Sequence, residues 1–522
     1  MPIDPHALDQ ALARIQPHVI DAHLRFLAHE LLEGRAPGTR GGTLAMEYIR
    51  AQMQRIGLQP VEGAYLQDVP MVGLTPHPTL AFHTPQGPAE PTYEEEYVLE
   101  AGVPEERVEV DAELVFVGYG ITAPEQGGWD DFKDVDLRGK VLLIRVNDPG
   151  TAETPDFFGG RALTYYGRWT YKFEEASRRG AAGALLIHTD ESAGYGWNVV
   201  RTSNTGTQYG LAGAPEFPLQ VRGWISQGTA RDLLARAGYD FATLMADSES
   251  RGFRPLSTGV RVRASVRSEV EPVRTANVVG LLPGSDPARA AEPVVLTSHY
   301  DHLGVREGAD GERRIYPGAY DNASGVSLLL AVAEAAASMP ARPPRPLLFV
   351  TTTAEESGLI GSEWYARNPL FPLATTAAAL NVDGANLQGR TTDITPIGAD
   401  RSSLGEIVRA AAAEEGMETR PDPHPEQGIF YRQDHFPLAR AGVPALALDH
   451  GLTFAEKPEG WGQRWYEDFV THHYHQPSDS YREGWDYAGA LQQGRTMLRT
   501  ALAVAWAEAL PDWLPGAGFT RR

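Results

Sequence analysis

The chain has 522 residues, and its 46 Lys and Arg against 68 Asp and Glu give a formal charge of −22; it contains no cysteine. The negative charge opposes sequence-independent binding to nucleic acid, which needs Lys and Arg to neutralise phosphates. The lack of cysteine excludes disulfides, thiolate nucleophiles and cysteine-held metal sites, so any metal must be bound by His and carboxylate. The length predicts two to four domains, or one large domain with an insert.

Nothing in the chain resembles a membrane or export segment. No stretch approaches the roughly 18 consecutive apolar residues of a membrane helix, so we expect no membrane span. Residues 1–16 lack a basic segment followed by an apolar core, so we expect no signal peptide in this chain. The residues themselves leave the compartment open, because a protein without cysteine suits either redox environment.

Two amphipathic helices are predicted near the start. One covers residues 18–32 and ends at Gly34, and the other covers residues 43–56 and stops at Gly57, with a glycine-rich loop between them. Residues 64–105 are rich in Pro and Glu, which indicates an exit from one domain into another.

The rest of the chain divides into two kinds of pattern. A β-rich region is predicted first, with a helix before its last strand and strands at 113–119, 141–146 and 184–188. Strands and helices alternate after it, with strands at 294–297, 347–352 and 377–382 and helices at 324–338 and after Gly361. Such alternation predicts an α/β sandwich with a partly parallel sheet. The predicted segments are therefore 1–105, 106–270 and 271–522.

Polar side chains follow the predicted strands in five segments. These are 298–302 (SHYDH), 319–322 (AYDN), 354–358 (AEESG), 381–384 (NVDG) and 474–477 (YHQP). Ligands of open α/β sheets bind beyond the carboxyl ends of the strands, so these segments are candidates for one site. Two divalent ions need two or three protein ligands each and a bridge, and zinc accepts imidazole nitrogen and carboxylate oxygen. The segments supply that donor set.

Two of the carboxylate positions suggest separate roles. Glu355 and Glu356 are adjacent on a predicted turn, so one can bind metal while the other acts as general base. Asp301 lies two residues after His299, on the same side of an extended segment, where it can accept the second N–H of the imidazole.

The series HYDH, AYDNASG, AEESGLIGS, NVDG and YHQPSD resembles the co-catalytic zinc peptidases of metallopeptidase family 28. The N-terminal LLEGRAPGTRGG, the helix 43–56 and GLQP resemble the opening of that family. Residues 106–270 resemble a protease-associated domain through LVFVGYGI, WDDFKDVDLRGKVLLI and KFEEASRRGAAGALLIH. The resemblance implies a zinc-exopeptidase-like three-layer α/β/α sandwich with a mixed sheet and an inserted β-rich protease-associated domain.

The resemblance also implies roles for individual residues. Two Zn²⁺ ions are expected, one bound by His299 and Asp383, the other by Glu356 and His475, with Asp321 bridging both. Glu355 would be the general base that activates a bridging hydroxide, Asp301 would orient His299, and Tyr474 would polarise the scissile carbonyl. A cis peptide bond is implied at Asp321–Asn322.

Other polar residues are expected outside the ligand set. His302 is predicted to be structural or to support the site from outside it, and Asp434 and His435 to form a wall or hydrogen bonds. His472 and His473 are not the histidine that the family uses, and residues 94–96 (EEE) form a solvated face.

The implied activity is that of an aminopeptidase acting on peptides. Carboxylates around a dizinc site can receive a free α-ammonium group; a carboxypeptidase or dipeptidase of the same family would need a cation such as Arg432. Glutaminyl cyclisation with one zinc and a non-catalytic receptor are the further alternatives. Side-chain preference and oligomeric state are not readable, although a cluster of aromatic residues suggests an apolar pocket: Phe430, Tyr431, Phe436, Trp461 and Trp465. Family members are often exported, which favours an extracytoplasmic location.

Overall fold

The computed structural model describes residues 4–154, 156–307 and 311–522. These residues form two compact units. The first comprises Met1–Pro70, Arg274–Pro423 and Arg432–Arg522, and the second comprises Met71–Val273 and His424–Tyr431. All the predicted site residues belong to the first unit.

A mixed sheet forms the centre of the first unit. In spatial order its strands are Glu418–Thr419, Asp393–Ile397, Ala445–His450, Ala378–Asn381, Val294–His299, Leu347–Thr352 and residues 274–282 of the strand Leu256–Leu282. The four strands from Ala445–His450 to Leu347–Thr352 are parallel to one another. The strands that flank these four pair with them antiparallel. The predicted α/β fold with a partly parallel sheet is confirmed. A separate hairpin pairs Gly304–Glu307 with Arg313–Tyr316.

Helices cover this sheet as two outer layers. Successive side chains of a strand point to opposite faces. Val294 and Leu296 share one core with the long helices Gly325–Ala337 and Ala488–Trp506. The helix His435–Arg440 packs on strands of the sheet with residues that lie outside that core. The other α-helices of this unit are Pro5–Leu12, Pro17–Leu27, Arg40–Ile56, Ile360–Arg367, Leu404–Glu414 and Trp461–His472. Among the described helices, none combines the length and the apolar composition that crossing a membrane requires.

The first predicted helix is shorter than the sequence suggested. It covers Pro17–Leu27 rather than residues 18–32, and a 3₁₀ segment, Glu30–Arg35, follows it. The break occurs because His29 starts a new turn, its Nδ1 accepting the N–H of Leu31 at 3.1 Å.

The second predicted helix is longer and covers Arg40–Ile56. Thr39 caps it by accepting the N–H of Gly42 at 3.1 Å. Gly41 and Gly42, expected in a loop, lie inside the helix. They pack so closely on the preceding segment that a Cβ atom would lie 1.7 Å and 2.3 Å from the carbonyl oxygens of Leu32 and Ala36.

The second unit also contains a series of paired strands, some parallel and some antiparallel. In spatial order its main strands are residues 256–273 of Leu256–Leu282, Arg107–Phe116, Val141–Arg145, Gly183–His188, Leu219–Ser226 and Tyr97–Gly102. The long strand Leu66–Thr84 lies outside this order and pairs with Leu256–Leu282 and with two of the shorter strands. Shorter strands are Gly87–Ala89, Thr122–Ala123, Trp129–Asp130 and Gln208–Leu211, and the α-helices are Trp169–Arg178, Asp190–Ala193, Trp197–Ser203, Gln227–Arg236 and Phe241–Asp247. The unit begins at Met71, before the expected border at 106, because much of the Pro- and Glu-rich stretch that was interpreted as a linker forms strands.

Candidate metal centre

The carboxyl ends of the parallel strands bring four of the candidate residues together. His299 and Asp383 lie side by side. The residues two positions before them are partners in two neighbouring parallel strands. Glu355 and Glu356 follow the strand on the other side of His299. The site therefore lies where ligands of open α/β sheets bind.

Asp321 and His475 reach the same place from outside the sheet. Asp321 lies in the irregular turn Ala319–Ser324 that precedes a long helix, and its peptide bond to Asn322 is cis, which confirms that prediction. His475 follows the helix Trp461–His472. The carboxylate of Asp479 holds the turn by accepting the backbone N–H groups of Tyr320 at 2.8 Å and Asp321 at 3.1 Å.

The donor atoms form two groups that share Asp321. In the first, Nε2 of His299 lies 3.3 Å from Oδ1 of Asp321 and 3.2 Å from Oδ1 of Asp383. In the second, Nε2 of His475 lies 3.3 Å from Oδ2 of Asp321 and 3.0 Å from Oε2 of Glu356. Each oxygen of Asp321 thus faces a different histidine.

These separations suit metal ligation. Two donors at about 2.1 Å from a tetrahedral zinc ion would lie about 3.4 Å apart. The observed nitrogen–oxygen distances within each group come close to that value, and imidazole with carboxylate is a donor set that zinc accepts. The residues present therefore fit the predicted metal.

Asp301 acts mainly on the turn that carries the two glutamates. Its carboxylate accepts the backbone N–H groups of Glu355 at 3.0 Å and Glu356 at 3.4 Å. The sequence predicted a bond from this carboxylate to the imidazole of His299, but Oδ1 lies 3.8 Å from Nδ1. The nearer acceptor for that nitrogen is the backbone carbonyl of Asp301, at 3.2 Å.

Glu355 stands beside the ligand groups without belonging to the two that share Asp321. Its Oε2 lies 3.9 Å from Nε2 of His299, and its side chain is 11% exposed. Burial raises the pKa of Glu355 well above its usual value, and Asp383 and Glu356 raise it further. A buried carboxyl group of raised pKa is suited to accepting and returning a proton.

Tyr474 lies against the second group. Its ring lies against that of His475, with centroids 3.9 Å apart and the ring planes inclined by 31°. Its hydroxyl oxygen accepts a hydrogen bond of 2.9 Å from Nη2 of Arg432. Because the oxygen accepts here, the hydroxyl can still donate its own proton to a different group.

His302 has a larger place in the site than the sequence suggested. Its Nδ1 lies 2.5 Å from Oε1 of Glu356, and its ring packs edge-on against His475 with centroids 5.6 Å apart. With Asp321 and Glu356 it forms a further group of potential metal ligands. The prediction that it supports the site from outside the ligand set remains a proposal.

Asp479 was missed, although it ends the YHQPSD motif. The only available signal was its position four residues after His475, which does not reveal that its carboxylate accepts backbone N–H groups of the Asp321 turn.

Asp434 accepts a hydrogen bond of 2.5 Å from the hydroxyl of Thr352, and it lies close enough to Glu355 and Asp301 for its charge to raise their pKa values. His472 bonds to Asp468 and His473 to Ser478, away from the ligand groups.

Two ion pairs keep the second ligand group charged. Burial opposes the charge of Asp321, but hydrogen bonds from His299 and His475 hold its pKa well below the usual value. Burial and Asp321 disfavour a charged Glu356, yet His475 and His302 lower its pKa to about 2. Burial lowers the pKa of His475, and Glu356 and Asp321 outweigh that effect and raise it to about 9.

The remaining carboxyl groups resist ionisation. Burial raises the pKa of Asp383 and lifts that of Asp301 to about 7 and that of Asp449 to about 8. Ionising these groups together with the ligand carboxylates would need more positive charge nearby than two histidines provide. Divalent cations would supply it.

Known proteins share this architecture and part of this sequence. Residues 277–501 match the family described as Peptidase family M28. A "Probable zinc metalloprotease" of Pyricularia oryzae is 32% identical over 166 residues, which is 30% of this chain and 28% of that protein. "Leupeptin-inactivating enzyme 1" of Streptomyces exfoliatus is 28% identical over 190 residues, 36% of this chain and 39% of that protein. The chain thus spans well under half the length of either curated relative.

Two solved structures have a similar fold over nearly the whole chain. The aminopeptidase from Aneurinibacillus sp. strain AM-1 is 19% identical with a TM-score of 0.52, over 99% of this chain and 100% of that one. The peptidase M28 precursor from Shewanella amazonensis SB2B is 18% identical with a TM-score of 0.50, over 98% of each chain. At these identities the likeness shows the fold.

Proposed function

We propose that this chain, whose residues 277–501 match peptidase family M28, is a zinc-dependent exopeptidase of that family that removes N-terminal residues from peptides. Two zinc ions are the proposed cofactor. His299 and Asp383 would hold one, Glu356 and His475 the other, and Asp321 would bind both.

The position of Asp321 carries this proposal. Its two carboxylate oxygens each lie 3.3 Å from Nε2 of a different histidine, one in each ligand group. A carboxylate shared in this way is what a site for two neighbouring ions requires. A site for one ion would need neither the second carboxylate oxygen of Asp321 nor the second histidine.

The chain's own residues supply the proton transfer. Zinc, when bound, polarises a substrate carbonyl and lowers the pKa of a water molecule. Glu355 takes the proton of the attacking water at its carboxylate and returns it to the leaving amine. The hydroxyl of Tyr474 donates to the carbonyl oxygen of the substrate, where negative charge develops. Asp301 holds the turn on which Glu355 sits.

The acidic surroundings favour a substrate with a free amino terminus. Asp449 accepts a hydrogen bond of 3.3 Å from Nε2 of Gln433, and its carboxyl group lies close enough to Asp383 to be affected by its charge. An α-ammonium group would offset this concentration of negative charge, whereas a substrate carboxylate would add to it.

Matched substrates test the proposal. The zinc-loaded protein should hydrolyse aminoacyl p-nitroanilides with a free amine and leave their N-acetylated counterparts intact. Chelation should abolish the activity and zinc should restore it. Cleavage of the acetylated series without cleavage of the free amines would contradict the aminopeptidase assignment.

Carboxypeptidase activity is a second candidate, favoured by one observation. The guanidinium of Arg432 bonds to Tyr474, beside the second ligand group, where it could bind the carboxylate of a substrate. Peptides blocked at one end or the other distinguish the two activities. A zinc content of one ion per chain would instead favour glutaminyl cyclisation.

The second unit is proposed to be a protease-associated domain, with its central part at 106–270. Its parallel and antiparallel strands and the motifs noted above support this interpretation. An extracytoplasmic location also remains a proposal, which fractionation of the producing cells would test.

A further inference from the structure

Arg35 is a fully buried cation beside the candidate metal centre. Only 1% of its surface is exposed. It belongs to the N-terminal segment LLEGRAPGTRGG, to which the proposed mechanism assigns no role. Burying a guanidinium costs several kcal/mol unless hydrogen bonds and nearby charge offset it. A guanidinium buried at this cost is expected to have a specific structural or functional role.

Its hydrogen bonds join three separate parts of the chain. Nε donates to the carbonyl of Tyr300 at 2.7 Å, between His299 and Asp301. Nη1 donates to the carbonyls of Pro317 at 2.5 Å and Leu27 at 2.7 Å, and Nη2 to that of Gly318 at 2.8 Å. A planar guanidinium fork can satisfy these acceptors together, and a lysine ammonium cannot.

The acceptors flank the metal ligands. The Tyr300 carbonyl lies at the strand end that carries His299, and residues 317–318 precede the turn that carries Asp321. Leu27 ends the helix Pro17–Leu27, where a cation also compensates the helix dipole. Arg35 thus ties two ligand-bearing segments to a rigid helix.

The turn before Arg35 is fitted to the same segments. Gly34 has a φ of +69°, and a Cβ atom there would lie 2.3 Å from the carbonyl oxygen of Tyr316 and 2.7 Å from that of Gly304. Only glycine permits this approach, which brings Arg35 within reach of its acceptors.

Charge links Arg35 to the ligand set without a direct ion pair. Within the described residues, its hydrogen-bond acceptors are all backbone carbonyls. Burial lowers its pKa to about 10, and the charges of four acids oppose that fall: Asp301, Asp479, Asp321 and Glu356. It remains charged at neutral pH and offsets part of their mutual repulsion when no metal is bound.

We propose that Arg35 is a positioning residue of the metal centre, which holds the segments of His299 and Asp321 at their ligand separation before any ion binds. The inference rests on the proposed zinc site. It assigns to the N-terminal segment the preorganisation of that site.

Zinc affinity of the metal-stripped protein tests this role. Arg35→Met removes both the positive charge and the planar guanidinium, and it should weaken zinc binding by about 10- to 100-fold. Arg35→Lys keeps the charge but not the guanidinium, and it should weaken zinc binding less. Competition with a fluorescent zinc chelator measures the affinity independently of activity.

Arg345 offers a matched control. It too is 1% exposed, and it donates to the carbonyls of Val504 at 3.1 Å and Glu508 at 3.3 Å. It precedes the strand Leu347–Thr352, at the opposite end of that strand from the site. Arg345→Met should lower the melting temperature and leave zinc affinity within about twofold of the parent value.

Hydrogen exchange of the unmutated protein keeps the inference testable if the Arg35 variants do not fold. The amides of Tyr300, Ala319 and Tyr320 are hydrogen-bonded in this structure. They should stay protected after zinc is stripped, because Arg35 still holds their segments.

Loss of this protection on stripping, or zinc affinity unchanged in Arg35→Met, would overturn the inference and leave the proposed function standing. A parent protein that binds no zinc would overturn both.

Discussion

The carboxylate of Asp301 accepts the backbone N–H of Glu355 at 3.0 Å. One buried acid therefore fixes the turn that presents the proposed general base. Asp301→Asn would replace one acceptor oxygen by an amide donor facing an N–H group. We expect kcat to fall by about 10- to 100-fold, as for other partners that orient a metal site.

Asp434→Asn is the control for that substitution. Asp434 is also buried, but it accepts a hydrogen bond from the hydroxyl of Thr352 and does not hold the glutamate turn as Asp301 does. Its substitution should change kcat much less. Equal losses in the two variants would show that buried charge, and not the hold on the turn, explains the effect.

Glu355 and Glu356 should respond differently to the same substitution. Glu355→Gln removes the proton acceptor and keeps the ligands, so turnover should fall by about 10²- to 10⁴-fold with zinc content unchanged. Glu356→Gln should lower zinc content, because Oε2 of Glu356 lies 3.0 Å from Nε2 of His475. Turnover assays paired with metal analysis measure both. Full activity in Glu355→Gln would refute its assignment as the base.

The parent protein should contain two zinc ions, and His475→Ala should contain one. The remaining group, with His299, Asp321 and Asp383, keeps its donors. His473→Ala changes a nearby histidine whose Nδ1 bonds to Ser478 at 2.8 Å, and it should retain both ions. Inductively coupled plasma mass spectrometry of dialysed samples provides the count. One ion in the parent would contradict the two-ion site.

The strands of the first unit could be predicted from the local sequence, because each is an apolar run that ends in a polar segment. The strand Leu347–Thr352 was predicted with its observed bounds. Once two strands pair in parallel, His299 and Asp383 must lie together, so their proximity was accessible from the sequence. Arg35 was not, because its acceptor in Tyr300 lies 265 residues along the chain. The glycines of the helix Arg40–Ile56 were misread for the same reason, since the close approach that requires them is a tertiary contact.

Tyr474→Phe should lower kcat by about 10- to 100-fold and leave KM nearly unchanged. The ring that packs against His475 is retained, so zinc content and melting temperature should not change. Only the hydroxyl that bonds to Arg432 and is proposed to reach the substrate is lost. A rise in KM with kcat unchanged would indicate that the hydroxyl binds substrate without stabilising developing charge.

His23 should make the metal-stripped protein less stable in mild acid. Burial, and secondarily Arg55, lower its pKa from 6.5 to about 4. The unfolded chain therefore binds a proton below pH 6.5 that the folded chain does not bind until about pH 4. The free energy of unfolding should fall across this window, by about 2 to 3 kcal/mol from this group.

His23→Asn isolates that contribution. Asparagine places a polar atom near the position of Nδ1, which lies 2.9 Å from the hydroxyl of Tyr48, but it does not titrate. Urea unfolding at pH 7 and pH 4.5 should show a smaller loss of stability in the variant than in the parent. His18→Asn, at an exposed position of the same helix, should follow the parent profile. If His23→Asn also follows that profile, the acid sensitivity does not arise from this histidine.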